Sequence, residues 1–176
     1  MTRRWTLFAG ALVLTGAALV SAQGAQKARC PLKGVEFDVK PNSPSINVNG
    51  KPVHFCCAGC PRDFVQAPER YLTQANYATN CVVQRQRPAR VDANFRAVVN
   101  NELFYFCCGG CPNRFVQAVH TFVTEVTDPV SGKRFKPTAD SPRSTVGTSG
   151  RILFLFENAQ NKATFDQDPG KYSRFK

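Results

Sequence analysis

With 176 residues, the chain has the length of one ordinary domain, or of several small units if its sequence repeats. Its net charge of +11 falls to +9 once residues 1–22, with Arg3 and Arg4, are set aside. The positive charges are scattered rather than clustered, which speaks for solubility and against a nucleic-acid or membrane-binding surface. No catalytic triad, paired acid and base or phosphate-binding glycine loop can be picked out, so the chain reads as a binding protein and not as an enzyme.

Residues 1–22 are expected to be a signal peptide. Arg3 and Arg4 give a basic start, Trp5 to Val20 is largely apolar but short for a membrane span, and Val20-Ser21-Ala22 offers small residues at a cleavage position. The expected location is periplasmic or secreted, with no stable membrane span after cleavage. In such an oxidising compartment disulfides are common and free thiols are a liability.

The rest of the chain is built on a stretch that occurs twice. Phe55-Cys56-Cys57-Ala58-Gly59-Cys60-Pro61-Arg62-Asp63-Phe64 returns as Phe106-Cys107-Cys108-Gly109-Gly110-Cys111-Pro112-Asn113-Arg114-Phe115, and at the same interval Cys30 returns as Cys81. All eight cysteines lie in this register, four per copy. Each copy opens on the lone Cys, continues through a hairpin and ends on a short helix. In the first, Ile46-Asn47-Val48 and Val53-His54-Phe55 flank an Asn49-Gly50 turn. In the second, Phe95 to Val99 and Leu103 to Phe106 flank Asn100-Asn101. Pro61 and Pro112 stand at first helical positions.

Residues 126–176 read as a third copy without cysteines. Asp128-Pro129-Val130-Ser131-Gly132 parallels Cys30-Pro31-Leu32-Lys33-Gly34, Arg151 to Phe156 is the returning strand, and Glu157 and Asn161 stand where Cys107 and Cys111 would. Thr138 to Gly150, rich in Ser, Thr, Pro and Gly, reads as a mobile connector. The expected units are 23–76, 77–125 and 126–176. A hairpin and one short helix bury little apolar surface, and a metal coupled to folding would make up the deficit.

Four disulfides are the competing use of eight thiols, but Cys56-Cys57 and Cys107-Cys108 are adjacent, and a bridge between neighbours is strained. Three thiols within five residues can instead converge on one ion. Thiolates suit Zn(II) or Cu(I).

These motifs resemble the YHS and TRASH group of small metal-associated domains. The family's Cys-Pro-Val-x-Gly opening is matched by Cys30-Pro31-Leu32-Lys33-Gly34, and its Asp-Pro-Val-Cys-Gly form by Asp128-Pro129-Val130-Ser131-Gly132 without the Cys. The Tyr105-Phe106-Cys107 strand end followed by Cys111 and Phe115, and the Asp168-Pro169-Gly170-Lys171-Tyr172 close, match the rest. The resemblance covers nearly all of residues 23–176. It implies an α+β architecture of tandem treble-clef-like fingers, and heavy-metal buffering, trafficking or sensing. Cys30, Cys56 and Cys60 are the expected core ligands of one site, and Cys81, Cys107 and Cys111 those of the second, with about one Zn or Cu(I) ion at each. Cys57 and Cys108 are assigned to the metal clusters as well, with three roles open: fourth ligands, small buried hydrophobes, or partners of each other. The competing reading is a disulfide-stapled or structural-zinc interaction module whose third copy faces a protein partner. A thiol oxidoreductase ranks behind both, because three residues separate Cys56 from Cys60. His54 and His120 are expected to be a strand residue and an exposed residue.

Overall fold

The computed structural model describes residues 26–175, so the expected signal peptide lies outside the described residues. In chain order, β1 (Lys27–Arg29) and β2 (Glu36–Asp38) form an antiparallel ribbon, followed by a hairpin of β3 (Ser45–Val48) and β4 (Lys51–His54) and by helices α1 (Cys60–Phe64) and α2 (Pro68–Gln74). A second hairpin, β5 (Arg96–Val99) and β6 (Glu102–Tyr105), leads to α3 (Gly110–Gln117) and α4 (Val119–Phe122). The last stretch repeats the full order: ribbon β7 (Val126–Thr127) and β8 (Arg134–Phe135), hairpin β9 (Arg143–Val146) and β10 (Ile152–Leu155), helices α5 (Ala159–Gln167) and α6 (Pro169–Tyr172). The class is α+β. Among the described residues no helix is long and apolar enough to cross a membrane.

Local sequence explains these elements. Asn49 and Gly50 have φ of 49° and 75°, and Asn100 and Asn101 have 48° and 65°. Both central residues of each turn are left-handed, the tight-turn geometry whose twist matches the flanking strands. Pro68 and Pro169 open α2 and α6, where a missing N–H costs nothing. The segment expected as a connector contains β9, whose four residues pair with β10 from Val146↔Ile152 to Arg143↔Leu155. Ser144 and Thr145 favour a loop by composition, yet at a sheet edge they fit a strand as well.

The hairpins do not stand apart as three separate fingers. They join in one six-stranded sheet of order β4-β3-β6-β5-β10-β9. The joints are parallel: β3 meets β6 at Val48↔Leu103, and β10 meets β5 at Ile152↔Val98 and Leu153↔Val99. Alternate residues of the central strands serve two cores. Val98, Leu103, Tyr105, Ile152 and Phe154 pack with Phe55, Phe64, Leu72, Phe156 and Phe165. Ala97, Val99, Phe104, Leu153 and Leu155 pack with Phe106, Phe115 and Val119. The helices after the first and third hairpins thus cover one face, and those after the second cover the other. Sharing a sheet buries far more apolar surface than three isolated hairpins could.

The turn asparagines lock the joints. Asn49 Nδ2 donates to the Tyr105 carbonyl at 2.9 Å, and its Oδ1 accepts from the Tyr105 amide at 2.6 Å. Asn100 makes the same pair with Leu155, at 2.7 and 2.8 Å. The first two hairpin turns are thereby each tied to the returning strand of the next hairpin.

Each segment also carries the same aromatic group. Phe55–Phe64, Phe106–Phe115 and Phe156–Phe165 have ring centroids 5.1 Å apart in all three cases. A further ring caps each pair: Tyr71 at 6.4 Å, Phe122 at 5.8 Å and Tyr172 at 5.8 Å. The group pins each helix under its strand end, and so fixes the loop between them.

Candidate metal centres

Three pieces of backbone converge beneath each of the first two hairpins. The lone cysteine sits in a tight knuckle: the Cys30 amide donates to the Val35 carbonyl at 2.9 Å, and the Gly34 amide to the Cys30 carbonyl at 2.8 Å. Gly34 has φ of +66°, a conformation that side chains other than glycine's rarely adopt. The second knuckle is wider and closes from the Cys81 amide to the Arg87 carbonyl at 2.9 Å. The returning strand then delivers Cys56 or Cys107. A turn closed from Cys60 N to Cys57 O, or from Cys111 N to Cys108 O, at 3.3 Å in both, folds the helix start back toward the strand end.

Two triads result. The sulfurs of Cys30, Cys56 and Cys60 lie within 4.8 Å of one another, as do those of Cys81, Cys107 and Cys111. Cys30 to Cys60 is 3.8 Å, Cys56 to Cys60 is 3.9 Å and Cys107 to Cys111 is 3.9 Å. Two thiolates on one tetrahedral zinc, each about 2.3 Å from the ion, stand about 3.8 Å apart. The triads are therefore spaced as ligands of a shared ion. Cys57 and Cys108 lie beside them, 3.3 Å from Cys60 and 3.4 Å from Cys111. Those separations are shorter than the spacing of two ligands on a tetrahedral zinc. The expected clusters thus divide into six thiols gathered as triads and two at their margins.

Burial divides the thiols differently: the knuckle and helix-start residues Cys30, Cys60, Cys81 and Cys111 are buried, while Cys56, Cys57, Cys107 and Cys108 are half-buried. Burial pushes the Cys60 and Cys111 thiols well up, and hydrogen bonds to the neighbouring thiols add to it. Burial likewise raises Cys56 and Cys107. At Cys30 burial also works upward, but backbone amides led by those of Cys56 and Lys33 outweigh it and leave the thiol below its ordinary value. Cys57 falls to about 7, because the Cys60 thiol and then the Cys60 and Gly59 amides stabilise its thiolate. Sulfurs this close resist ionising together unless a cation sits among them.

The two sites differ in one charge. Lys33 Nζ stands 3.7 Å from Cys57 Sγ, and the thiolates, Cys57 first, raise its pKa. The equivalent position after Cys81 is the neutral Gln84, whose backbone N–H donates to Cys81 Sγ at 3.4 Å.

The same convergence beneath the third hairpin is held by a carboxylate. Asp128 occupies the knuckle position, with its amide on the Lys133 carbonyl at 2.8 Å and the Gly132 amide on its own carbonyl at 2.9 Å. It is fully buried. Oδ1 accepts from the amides of Val130 and Ser131, at 2.8 and 3.1 Å. Oδ2 accepts from the Glu157 amide at 2.9 Å and from Asn161 Nδ2 at 3.0 Å. Knuckle, strand end and helix start are therefore joined by hydrogen bonds at the point where the other segments gather thiols. Glu157 and Asn161 stand at the cysteine positions of the repeat, but the residue that organises them is Asp128, whose signal in the sequence is its place at the Cys30 position.

His54 lies in β4 with its Nδ1 buried and without a hydrogen-bond partner. His120 is half-buried in α4 rather than exposed. Neither belongs to a triad. No protein-family model matches the chain, and no curated protein or solved structure is significantly similar to it.

Proposed function

We propose that this chain is an exported metal-binding protein that holds two thiophilic ions, one at Cys30, Cys56 and Cys60 and one at Cys81, Cys107 and Cys111, in metal buffering, trafficking or sensing. The observation that carries the reading is the pair of triads with ligand spacing, built from three separated pieces of chain in each case. Zn(II) and Cu(I) are the ions that sulfur triads favour; three sulfurs suit Cu(I), and zinc takes a fourth donor such as water. The basic start and apolar run of residues 1–22 support export. The motif order supports kinship with the YHS and TRASH domains, through two metal-bearing units and a third in which Asp128 replaces the metal.

The test is elemental analysis of protein purified without reductant, with free thiols counted in parallel. Two ions per chain and no disulfide are expected. Metal-free protein with four disulfides would establish the stapled interaction module instead.

A further inference from the structure

We propose that Cys57 with Cys60, and Cys108 with Cys111, are dithiol pairs that exchange with external disulfides, and that each metal centre loses a ligand when its pair is oxidised. The second half rests on the metal reading above; the first half does not.

Both pairs have the Cys-x-x-Cys spacing. Considering Cys56 with Cys60 alone conceals it, because the adjacent cysteine supplies the shorter interval. Geometry separates the two relations. Cys57 to Cys60 and Cys108 to Cys111 are 3.3 and 3.4 Å, whereas Cys30 to Cys60, Cys56 to Cys60 and Cys107 to Cys111 are 3.8 to 3.9 Å. A disulfide bond is about 2.05 Å long, so closing either pair needs a movement of only about 1.3 Å. The residues between are Ala58-Gly59 and Gly109-Gly110, which place no bulk beside the sulfurs. Exposure is asymmetric: Cys57 and Cys108 are half-buried, while Cys60 and Cys111 are buried. That is the arrangement of an attacking thiol backed by a protected resolving thiol. Lys33, 3.7 Å from Cys57, adds a positive charge at the entrance of the first pair.

In the exchange, the Cys57 sulfur attacks one sulfur of a low-molecular-weight disulfide. The external S–S bond breaks, a mixed disulfide forms, and the first external thiol leaves with a proton. The Cys60 sulfur then attacks the Cys57 sulfur, forming the Cys57–Cys60 bond and expelling the second external thiol. Two electrons pass from the cysteines to the external disulfide, and two protons end on the released thiols. Because Cys57 lies outside the triad, it can start this sequence with an ion in place. Once Cys60 is in a disulfide it no longer offers a thiolate, and the ion is left with Cys30 and Cys56.

The experiment has two arms. In the first, the reduced, metal-free full chain is incubated with glutathione disulfide, quenched by alkylation and mapped by fragment-ion mass spectrometry. The first linkages are expected at Cys57–Cys60 and Cys108–Cys111. They should persist in Cys56→Ser and vanish at the first site in Cys57→Ser. Early linkage of Cys30 to Cys60, Cys56 to Cys60 or Cys57 to Cys108 would overturn the pairing. In the second arm, the zinc-loaded chain is treated with glutathione disulfide and released zinc is read with a chromogenic chelator. Release from the Cys57→Ser, Cys108→Ser double variant should be at least about tenfold slower than from the natural chain, at equal initial zinc content. Equal rates would overturn the coupling. A natural chain that takes up no zinc or Cu(I) would overturn the metal reading and the ligand-loss half, while the map from the first arm still decides the dithiol half.

Discussion

Each four-cysteine set divides by position. Cys60 and Cys111 are buried, lie within 3.9 Å of both neighbouring cysteines at their strand end, and stand at the helix start. Cys60→Ser and Cys111→Ser should each remove one ion per chain and leave the other, whereas Cys57→Ser and Cys108→Ser should retain two; metal-to-protein ratios after gel filtration decide this. The half-buried thiols at the margins also make the two sites distinguishable. In the metal-free chain, iodoacetamide labelling of Cys57 should rise with pH through a midpoint near 7, where its thiolate forms. The main cause is the hydrogen bond from Cys60, with Lys33 contributing a smaller attraction. Lys33→Gln copies the Gln84 of the second site and should move that midpoint upward. An unchanged profile would show that the ammonium has no hold on Cys57.

At the scale of elements, the third hairpin and helix show what the ribbon-to-helix junction requires. Any group that ties knuckle, strand end and helix start together will serve, and Asp128 does so with four hydrogen bonds. Burial works to raise its pKa, but the donors, led by the Glu157 amide, outweigh burial and hold it below the ordinary carboxylate value. A depressed folded-state pKa means that its contribution is complete above about pH 4 and is lost as pH falls through the folded value. Asp128→Ala should destabilise the chain by about 3 kcal/mol at pH 7 in urea unfolding, since buried donors lose their acceptor. The difference between natural chain and variant should shrink below pH 4. The reverse exchange is also testable. Asp128→Cys, Glu157→Cys and Asn161→Cys together place thiols at the three triad positions, and the triple variant should bind one ion more than the natural chain by elemental analysis.

At the scale of the molecule, the shared sheet makes the segments interdependent. β10 lies between β5 and β9, and Phe154, Phe156 and Phe165 pack in the same core as Phe55, Phe64 and Leu72. Residues 126–176 expressed alone lose the β5 pairing and most of that core. They should give little protected backbone in hydrogen exchange, while the same residues in the metal-loaded chain should be protected along β10 and α5. The sheet's edges are also managed. β4 carries Lys51 and Pro52, and β9 carries Arg143, residues that oppose further strand pairing.

The sequence by itself determined the local parts. The Asn-Gly and Asn-Asn turns, the prolines that open helices, the apolar returning strands and the register of eight thiols each rest on interactions within a few residues, and such signals are written in neighbouring positions. It also placed Asp128, Glu157 and Asn161 at equivalent positions. Only the tertiary structure decided the rest. That the hairpins join in parallel follows from which apolar faces meet, and Val98 or Leu153 looks the same in sequence whichever core receives it. The weld from Asn100 to Leu155 spans 55 residues and is invisible in the turn motif that supplies it. The separation of the thiols into triads and pairs depends on distances near 3.9 and 3.3 Å, set by how tightly the helix start folds under the strand end. Spacing along the chain names the cysteines that can meet; the packing of Phe55 on Phe64, and of Phe106 on Phe115, decides which of them do.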